Sequence, residues 1–489
     1  MKKNNRWFTL LLVLIFVAGA GIRLYDLTDE PLETHMARQL RSLLISRSLY
    51  QGEGMGGESL IEPPIIELLS AGFYRIAGAE IPWVQRLISI SFWMLGAWAL
   101  FDLAKTISGR FGGLFSLVFY LFMPFSILYS RLMMPDPMMT AGTVLAVWAL
   151  LRWERRRTIK SAVLAGLLTG YAILTKSVAG FVLLPAFALF TLHSMPLKKL
   201  ARNRQIWMIV LLTALPSLLY YIYGMVILGT LGGQFQGRFF LNLLSDPAHY
   251  LRWINVIKNK FGLGVAAISI MSIALVKEKK YQQLLAGWWL GYVLYGLVFA
   301  YHIWTHDYYQ LPLLPVIALS LAPLGELICH TAVEKTDSRW LGTALLVTGL
   351  LVYALPNIWN TRVELARNDY RQEAKNYLPV EEALTEHLDE PVISISADYN
   401  TRLEYFTRLE VDNWPVGADF RYNQLSGKGF DFDQAWDQTI QQYHYFIVLS
   451  EAELNAQPDL ADKLNQAPVF YQGGGVTIYD LTALSALQP

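Results

Sequence analysis

Residues 130–184 read SRLMMPDPMMTAGTVLAVWALLRWERRRTIKSAVLAGLLTGYAILTKSVAGFVLL. Two apolar runs lie in this stretch, at 138–152 and 161–175, and a third, 178–194, begins in it. The loop between the first two, RWERRRTIK at 152–160, is strongly basic. The break between the last two is little more than the polar pair Thr175-Lys176. Apolar runs of near-spanning length joined by short polar turns suit hydrocarbon, which takes ~20 apolar residues per helical crossing. Two crossings separate Asp136 from Lys176, so both return to one membrane face and the basic loop lies on the other.

The same pattern extends in both directions. Further runs lie near 7–24, 83–104, 112–129, 206–228, 261–276, 283–301, 309–328 and 340–359, for eleven expected spans. The three runs at 138–194 are short, and splitting 161–194 at one polar pair is the weakest division. Lysine and arginine in short loops orient such a bundle. Four basic segments fall on one side with eleven spans: Lys2, Lys3 and Arg6; 152–160; Lys198, Lys199, Arg202 and Arg204; and KEKK at 277–280. That side is expected to be cytoplasmic, with the N-terminus, and loop 25–82 then lies outside. The long outer loop 229–260 carries four basic residues, and long loops obey the rule poorly. Ala18-Gly19-Ala20 looks like a signal-peptide cleavage site, but the motifs that follow need an anchor, so the first helix is expected to be retained.

Composition agrees. Of 489 residues, 54% are apolar and only 16% charged, against about a quarter charged in soluble domains. The single cysteine, Cys329, excludes an intrachain disulfide, and the net charge of +1 gives no basic surface for nucleic acid. That near-zero charge hides a split. From Arg362 onward there are 9 Lys/Arg and 21 Asp/Glu, a net of −12, so residues 1–361 carry +13. The expected organisation is a polytopic helical domain at 1–361 and a soluble, extracytoplasmic α/β domain at 362–489. In the latter, 391–398 and 443–450 read as buried strands, 452–466 as a helix, and 468–481 as a hairpin around Gly473–Gly475. Asp398 is expected to be a strand-terminating residue, with no catalytic role.

The first outer loop carries two amphipathic segments. In one, Met36, Leu40, Leu43 and Leu44 fall on one helical side; in the other, Pro63-Pro64 precede Ile65, Ile66, Leu69 and Phe73. Both are expected to lie in the lipid interface. Asp26, Asp29, Glu30 and Glu33 concentrate there, and Glu33 is also suited to cap the first segment. Polar residues elsewhere share this face: Arg86 at the start of the second span, Arg131 and Asp136 in SRLMMPDPMM, Lys176 in LTKSVAGF, and His306, Asp307, Tyr308 and Tyr309 in HIWTHDYYQLPLLP. Two carboxylates and several cations at a membrane surface suit sugar transfer from a lipid-linked phosphate. A carboxylate takes the acceptor's proton. Fixed cations stabilise charge building on the leaving phosphate. No nucleotide cradle is needed, and none is found.

The ordered series EPLETHMARQLRS, EPPIIELLSAGFYRIAG, WVQRLIS, SRLMMPDPMM, LTKSVAGF and HDYYQLPLLP resembles the GT-C glycosyltransferases. It is closest in kind to the dolichyl-phosphate-mannose protein mannosyltransferase and aminoarabinose transferase-like group (glycosyltransferase family 39-like). The resemblance implies a mainly α membrane bundle with a small C-terminal α/β domain in the bacterial inner membrane. It also implies transfer from a polyprenyl-phosphate-linked sugar to a protein, lipid or glycan acceptor. Glu33 and Asp136 take the catalytic positions. Asp29, Glu30, His35, Arg38, Arg86, Arg131, Lys176, His306, Asp307, Tyr308 and Tyr309 fall among the substrate-binding positions, and Asp29 and Glu30 compete with Glu33. TKS stands where the family has TKG, and Glu33 where it more often has Asp. No metal motif is present, and a divalent cation is left open as a cofactor. Two other classes are weighed: a transporter or flippase of lipid-linked sugars, and a catalytically inactive GT-C-like scaffold. The first is disfavoured by the scarcity of mid-membrane charge.

Overall fold

The computed structural model describes residues 6–54, 62–227, 229, 231, 239–334, 338–385, 390–407 and 409–485. Lys2, Lys3 and Arg238, all used in the charge reading above, lie outside them. The chain forms two units, Met1–Leu27 with Gly57–Arg367 and Thr28–Gly56 with Asn368–Pro489.

The first unit is helical: α1 (Arg6–Leu24), α3 (Ile65–Ala77), α4 (Val84–Ile107), α5 (Arg110–Phe122), α6 (Pro124–Tyr129), α7 (Pro135–Arg156), α8 (Ile159–Thr175), α9 (Ala179–Ser194), α10 (Leu197–Ala201) and α11 (Arg204–Ile222), then longer helices at Pro247–Phe261, Leu263–Ser272, Lys279–Val298, Leu313–Glu334 and Arg339–Leu365. Helix α2 (Met36–Gln51) belongs to the second unit. Among the described residues, all eleven stretches read as spans are mainly helical. Among the described residues, five helices are long and apolar enough to cross a membrane, and six if one bent pair counts as a single span.

Local chemistry sets the breaks. The third stretch splits because Met123 is extended and Pro124 opens α6; proline cannot donate into the preceding turn and pushes its neighbour out of the helical region. Helices α8 and α9 are separate, with Lys176 in extended backbone between them, which upholds the weakest division above. One helix escaped the reading. Asp246 accepts a bond from the Ala248 N–H at 2.9 Å and Pro247 occupies the first turn, a cap that starts Pro247–Phe261. Gly262, at φ 81°, then turns the chain into Leu263–Leu275 at 87°.

Close helix packing rests on glycine pairs four apart. A Cβ on Gly166 would meet the Leu212 side chain at 2.7 Å, and one on Gly170 the Leu212 carbonyl oxygen at 2.4 Å, so α8 lies directly on α11. Gly287 and Gly291 likewise abut the α9 backbone at Pro185 and Val182, at 2.6 and 2.3 Å. Small residues at such spacing let helices approach in lipid, where apolar burial alone gives little drive.

The basic loops gather at one end of this unit. Trp153 donates to Gln205 at 2.7 Å, Gln205 to the Arg157 carbonyl at 2.9 Å, and Lys280 lies 3.6 Å from Glu154. Helix α3 turns Ile66 and Tyr74 inward and leaves Leu68, Leu69, Phe73 and Ile76 exposed. Its outward face is apolar, as an interfacial helix requires.

The second unit holds a five-stranded sheet in the order β2-β1-β3-β5-β4, with β1 (Val392–Ile395), β2 (Asp412–Asn413), β3 (Tyr445–Val448), β4 (Val469–Gly473) and β5 (Val476–Asp480). Strand β1 is parallel to β2 and β3, and β5 is antiparallel to β3 and β4. Strands β1 and β3 are buried at every position, as strands covered on both faces are. The β4–β5 turn uses Gly474 and Gly475, both at positive φ, where glycine carries no steric cost. The segment read as one helix at 452–466 is two, Glu451–Asn455 and Pro458–Leu464, interrupted ahead of Pro458.

Helix α2 corrects the reading of the first loop. Leu40, Leu43 and Ile45 are buried, and α2 packs on the helix Thr401–Thr407. Arg47 donates to the Tyr405 carbonyl at 2.9 Å and lies 4.7 Å over its ring. Its apolar side meets protein rather than lipid. Glu33 is not its cap either: the capping position is His35, in the left-handed region at φ 49°. The last helix of the first unit ends at Leu365.

Candidate active site

Helix α7 opens with Pro135-Asp136-Pro137. Prolines suit a first turn, whose N–H groups lack helical partners, and the helix N-terminus favours the carboxylate between them. Lys176 ends α8, where the dipole favours a cation. The two helices pack as a hairpin, and Lys176 Nζ stands 2.9 Å from Asp136 Oδ1. Both residues are under 5% exposed.

Three more groups complete the cluster. Glu62, just ahead of α3, lies 3.8 Å from Lys176 Nζ. The rings of Tyr308 and Tyr309 lie with their centroids 5.1 Å from the same ammonium, within cation–π range. Both tyrosines sit in the tight turn Asp307–Gln310 that leads into Leu313–Glu334. Asp136 Oδ2 is buried and has no hydrogen-bond partner among the described residues. Buried polar atoms are usually paired, so such an atom marks a place for a ligand, water or ion.

A second charged group adjoins this turn. Asp307 accepts from Lys260 and from the Tyr129 hydroxyl, each at 2.5 Å. Lys260 also lies 5.2 Å over the Tyr129 ring, in the last turn of the helix before the Gly262 bend. His306 bonds to Thr305 Oγ1 at 2.8 Å and stacks on His302 at 5.6 Å.

Arg86 and Arg131 are both buried and hold backbone. Arg86 donates to the Leu27 carbonyl at 2.8 Å, and Arg131 to those of Tyr25 and Asp26 at 2.7 and 2.6 Å. Arg23, fully buried, donates to Ser130 at 2.7 Å, Ser126 at 3.0 Å and the Gly19 carbonyl at 2.8 Å. These three guanidinium groups tie the exit of α1 to α4 and to the turn before α7.

The remaining sequence-derived candidates lie in the second unit. Asp29 is buried, accepts from the Tyr370 N–H at 2.8 Å and lies 3.9 Å from Arg371. Glu30 is half-buried and its carbonyl accepts from the Leu32 N–H at 2.9 Å. Glu33 is exposed. His35 precedes α2, and Arg38 lies in its first turn, half-buried.

Asp136, Lys176, Tyr308 and Tyr309 are therefore brought together, with His306 and Asp307 beside them. Glu62, Lys260, Tyr129 and Arg23 were missed. Glu62 stands in the quoted EPPII segment and Lys260 in the outer loop, so a rule that tests every charge on that face would have found both. Nothing in the sequence marks Tyr129 among so many apolar-run aromatics.

The comparisons with known proteins fall on this geometry. Residues 61–222, from one residue before Glu62 to past Lys176, match the model of the dolichyl-phosphate-mannose-protein mannosyltransferase family. No curated protein matches the chain in sequence. The folded chain superposes on ArnT from Cupriavidus metallidurans, a structure bound to undecaprenyl phosphate, with a TM-score of 0.62 over 99% of this chain and 100% of that one, at 14% identity. The fold is that of the GT-C glycosyltransferases. Two other structures with GT-C folds agree. The archaeal oligosaccharyltransferase AglB from Archaeoglobus fulgidus, in complex with an inhibitory peptide and a dolichol-phosphate, gives a TM-score of 0.57 at 13% identity, over 92% of this chain and 70% of that one. The arabinofuranosyltransferase AftD from Mycobacteria gives 0.54 at 14% identity, over 98% of this chain and 40% of that one. The family-model match contains Arg86, Arg131, Asp136 and Lys176, while the tyrosine pair lies beyond it.

Proposed function

We propose that this membrane protein transfers a sugar from a polyprenyl-phosphate-linked donor to an acceptor hydroxyl or amide on the outer membrane face. The observation that carries the reading is the buried Lys176 ammonium held between Asp136 and Glu62. As the acceptor attacks the anomeric carbon, the bond from that carbon to the phosphate oxygen breaks. The electron pair leaves with the polyprenyl phosphate, and the acceptor proton goes to a carboxylate. Lys176 meets the charge growing on the leaving phosphate, where a fixed cation away from water acts most strongly. Asp136 Oδ1 orients that ammonium and its Oδ2 takes the proton. Glu33, the exposed acid of the first loop, is the alternative base.

The charge pattern supports a cytoplasmic N-terminus and an extracytoplasmic second unit, and the resemblance to bacterial members of the family supports the bacterial inner membrane. The test is transfer by purified protein from a radiolabelled polyprenyl-phosphate sugar to a panel of lipid, peptide and glycan acceptors. Asp136→Asn is expected to cut turnover by about 10²–10⁴, and Glu33→Gln far less. Full turnover in both variants would overturn the site assignment. Loss only in Glu33→Gln would move the base to the first loop.

A further inference from the structure

The basic segment RWERRRTIK served above only to orient the bundle. Its first residues line a cavity of about 130 Å³ between the last turns of α4 and α7. Arg152, Arg155 and Arg156 face it, with Asp102, Thr106 and Trp148. Asp102 is the one carboxylate in its wall, and that carboxylate accepts from Trp148 Nε1 at 2.9 Å. Arg152 lies 5.0 Å over the Trp148 ring. Arg155 reaches Thr106 at 3.3 Å and the Tyr281 hydroxyl at 3.2 Å, bridging α4 to Lys279–Val298. The cavity thus has three guanidinium groups, one carboxylate and an aromatic floor.

Its depth is set by α7, which runs from Asp136 in its first turn to Arg155 and Arg156 in its last. At 1.5 Å per residue that is roughly 30 Å, the thickness of the hydrocarbon core. The cavity therefore lies at the opposite end of α7 from the Asp136–Lys176 site, away from the groups proposed for transfer.

We infer that this cavity binds the phosphate of an anionic phospholipid headgroup at the inner membrane surface. Arginine forks pair with phosphate oxygens. Basic pockets between membrane helices on that side hold anionic headgroups, and the indole at a membrane interface sits at headgroup level. Free inorganic phosphate offers the same oxygens without an acyl anchor in the adjoining bilayer.

Native mass spectrometry of the detergent-purified full chain tests this with phosphatidylglycerol, phosphatidylcholine and inorganic phosphate. Phosphatidylglycerol is expected to be retained in preference to phosphatidylcholine, and excess inorganic phosphate is expected to leave it in place. Arg152→Gln with Arg156→Gln is expected to reduce that retention about tenfold or more, from roughly one surface interaction lost per arginine. Equal retention of the two lipids, or of phosphatidylglycerol in wild type and double variant, would overturn the inference. Displacement by inorganic phosphate would overturn the lipid assignment. The lipid comparison uses wild-type protein, so it decides even if the variant fails to fold.

Discussion

Lys176 and Asp136, forty residues apart, meet at 2.9 Å because α7 and α8 form one antiparallel hairpin across the bundle. The hairpin carries one charge to each side of a single contact, and both charges are buried. Removing one partner from such a pair leaves the other uncompensated, at a cost on the order of 3–5 kcal/mol. Lys176→Met is therefore expected to lower the unfolding temperature of the protein in detergent. Lys176→Met with Asp136→Leu should recover much of that stability while remaining inactive, since the pair is built for charge rather than for cohesion.

Arg131 is expected to behave differently. It binds two successive carbonyls, those of Tyr25 and Asp26, with two separate nitrogens. A lysine has one nitrogen and lacks that planar fork, so Arg131→Lys should not restore what Arg131→Ala loses. Each charge-assisted bond contributes ~1.5–3 kcal/mol, and the loss should appear as a lower unfolding temperature in both variants.

The glycine seams give a steric prediction. Gly291→Leu would drive a side chain into the Val182 carbonyl of α9, already 2.3 Å from where a Cβ would stand. Overpacking of this kind costs about 1–3 kcal/mol or more. Gly264→Leu, on the same bundle, meets nothing within 4 Å and serves as the control. Thermal unfolding of the two variants should separate them clearly.

In the second unit, Asn400 sits at φ 62° and its amide donates to the Val411 and Asp412 carbonyls at 3.2 and 3.0 Å. It thereby fastens the turn after β1 to the edge strand β2. Asn400→Ala loses both bonds and places an alanine in the left-handed region, which asparagine tolerates better. The variant is expected to be cut faster by protease within 398–413 of the intact chain, with the membrane unit unaffected.

How far these relationships were legible follows from particular residues. The meeting of Asp136 and Lys176 on one face could be read because apolar run length and loop charge count crossings. Hydropathy could not distinguish Leu40 and Leu43 facing protein from the same residues facing lipid, so α2 was placed in the interface. Leu69 and Phe73 of α3 follow the same pattern and do face outward, while Ile66 of the same set turns inward. The partner decides, and the partner of α2 lies more than 350 residues away at Tyr405. Lys260 could be counted among the outer-face charges, but its meeting with Asp307 could not be read: its helix ends in an 87° bend at Gly262, and a hydropathy profile carries no angles.

In the proposed reaction Lys176 receives the donor phosphate. The measurement that tests it most directly is equilibrium binding of polyprenyl phosphate to the purified protein in lipid nanodiscs, wild type against Lys176→Met and Lys176→Arg. Saturable binding is expected for wild type, a loss of tenfold or more for Lys176→Met, consistent with one charge-assisted bond, and partial recovery for Lys176→Arg. Equal affinity in wild type and Lys176→Met, with both proteins folded, would contradict it.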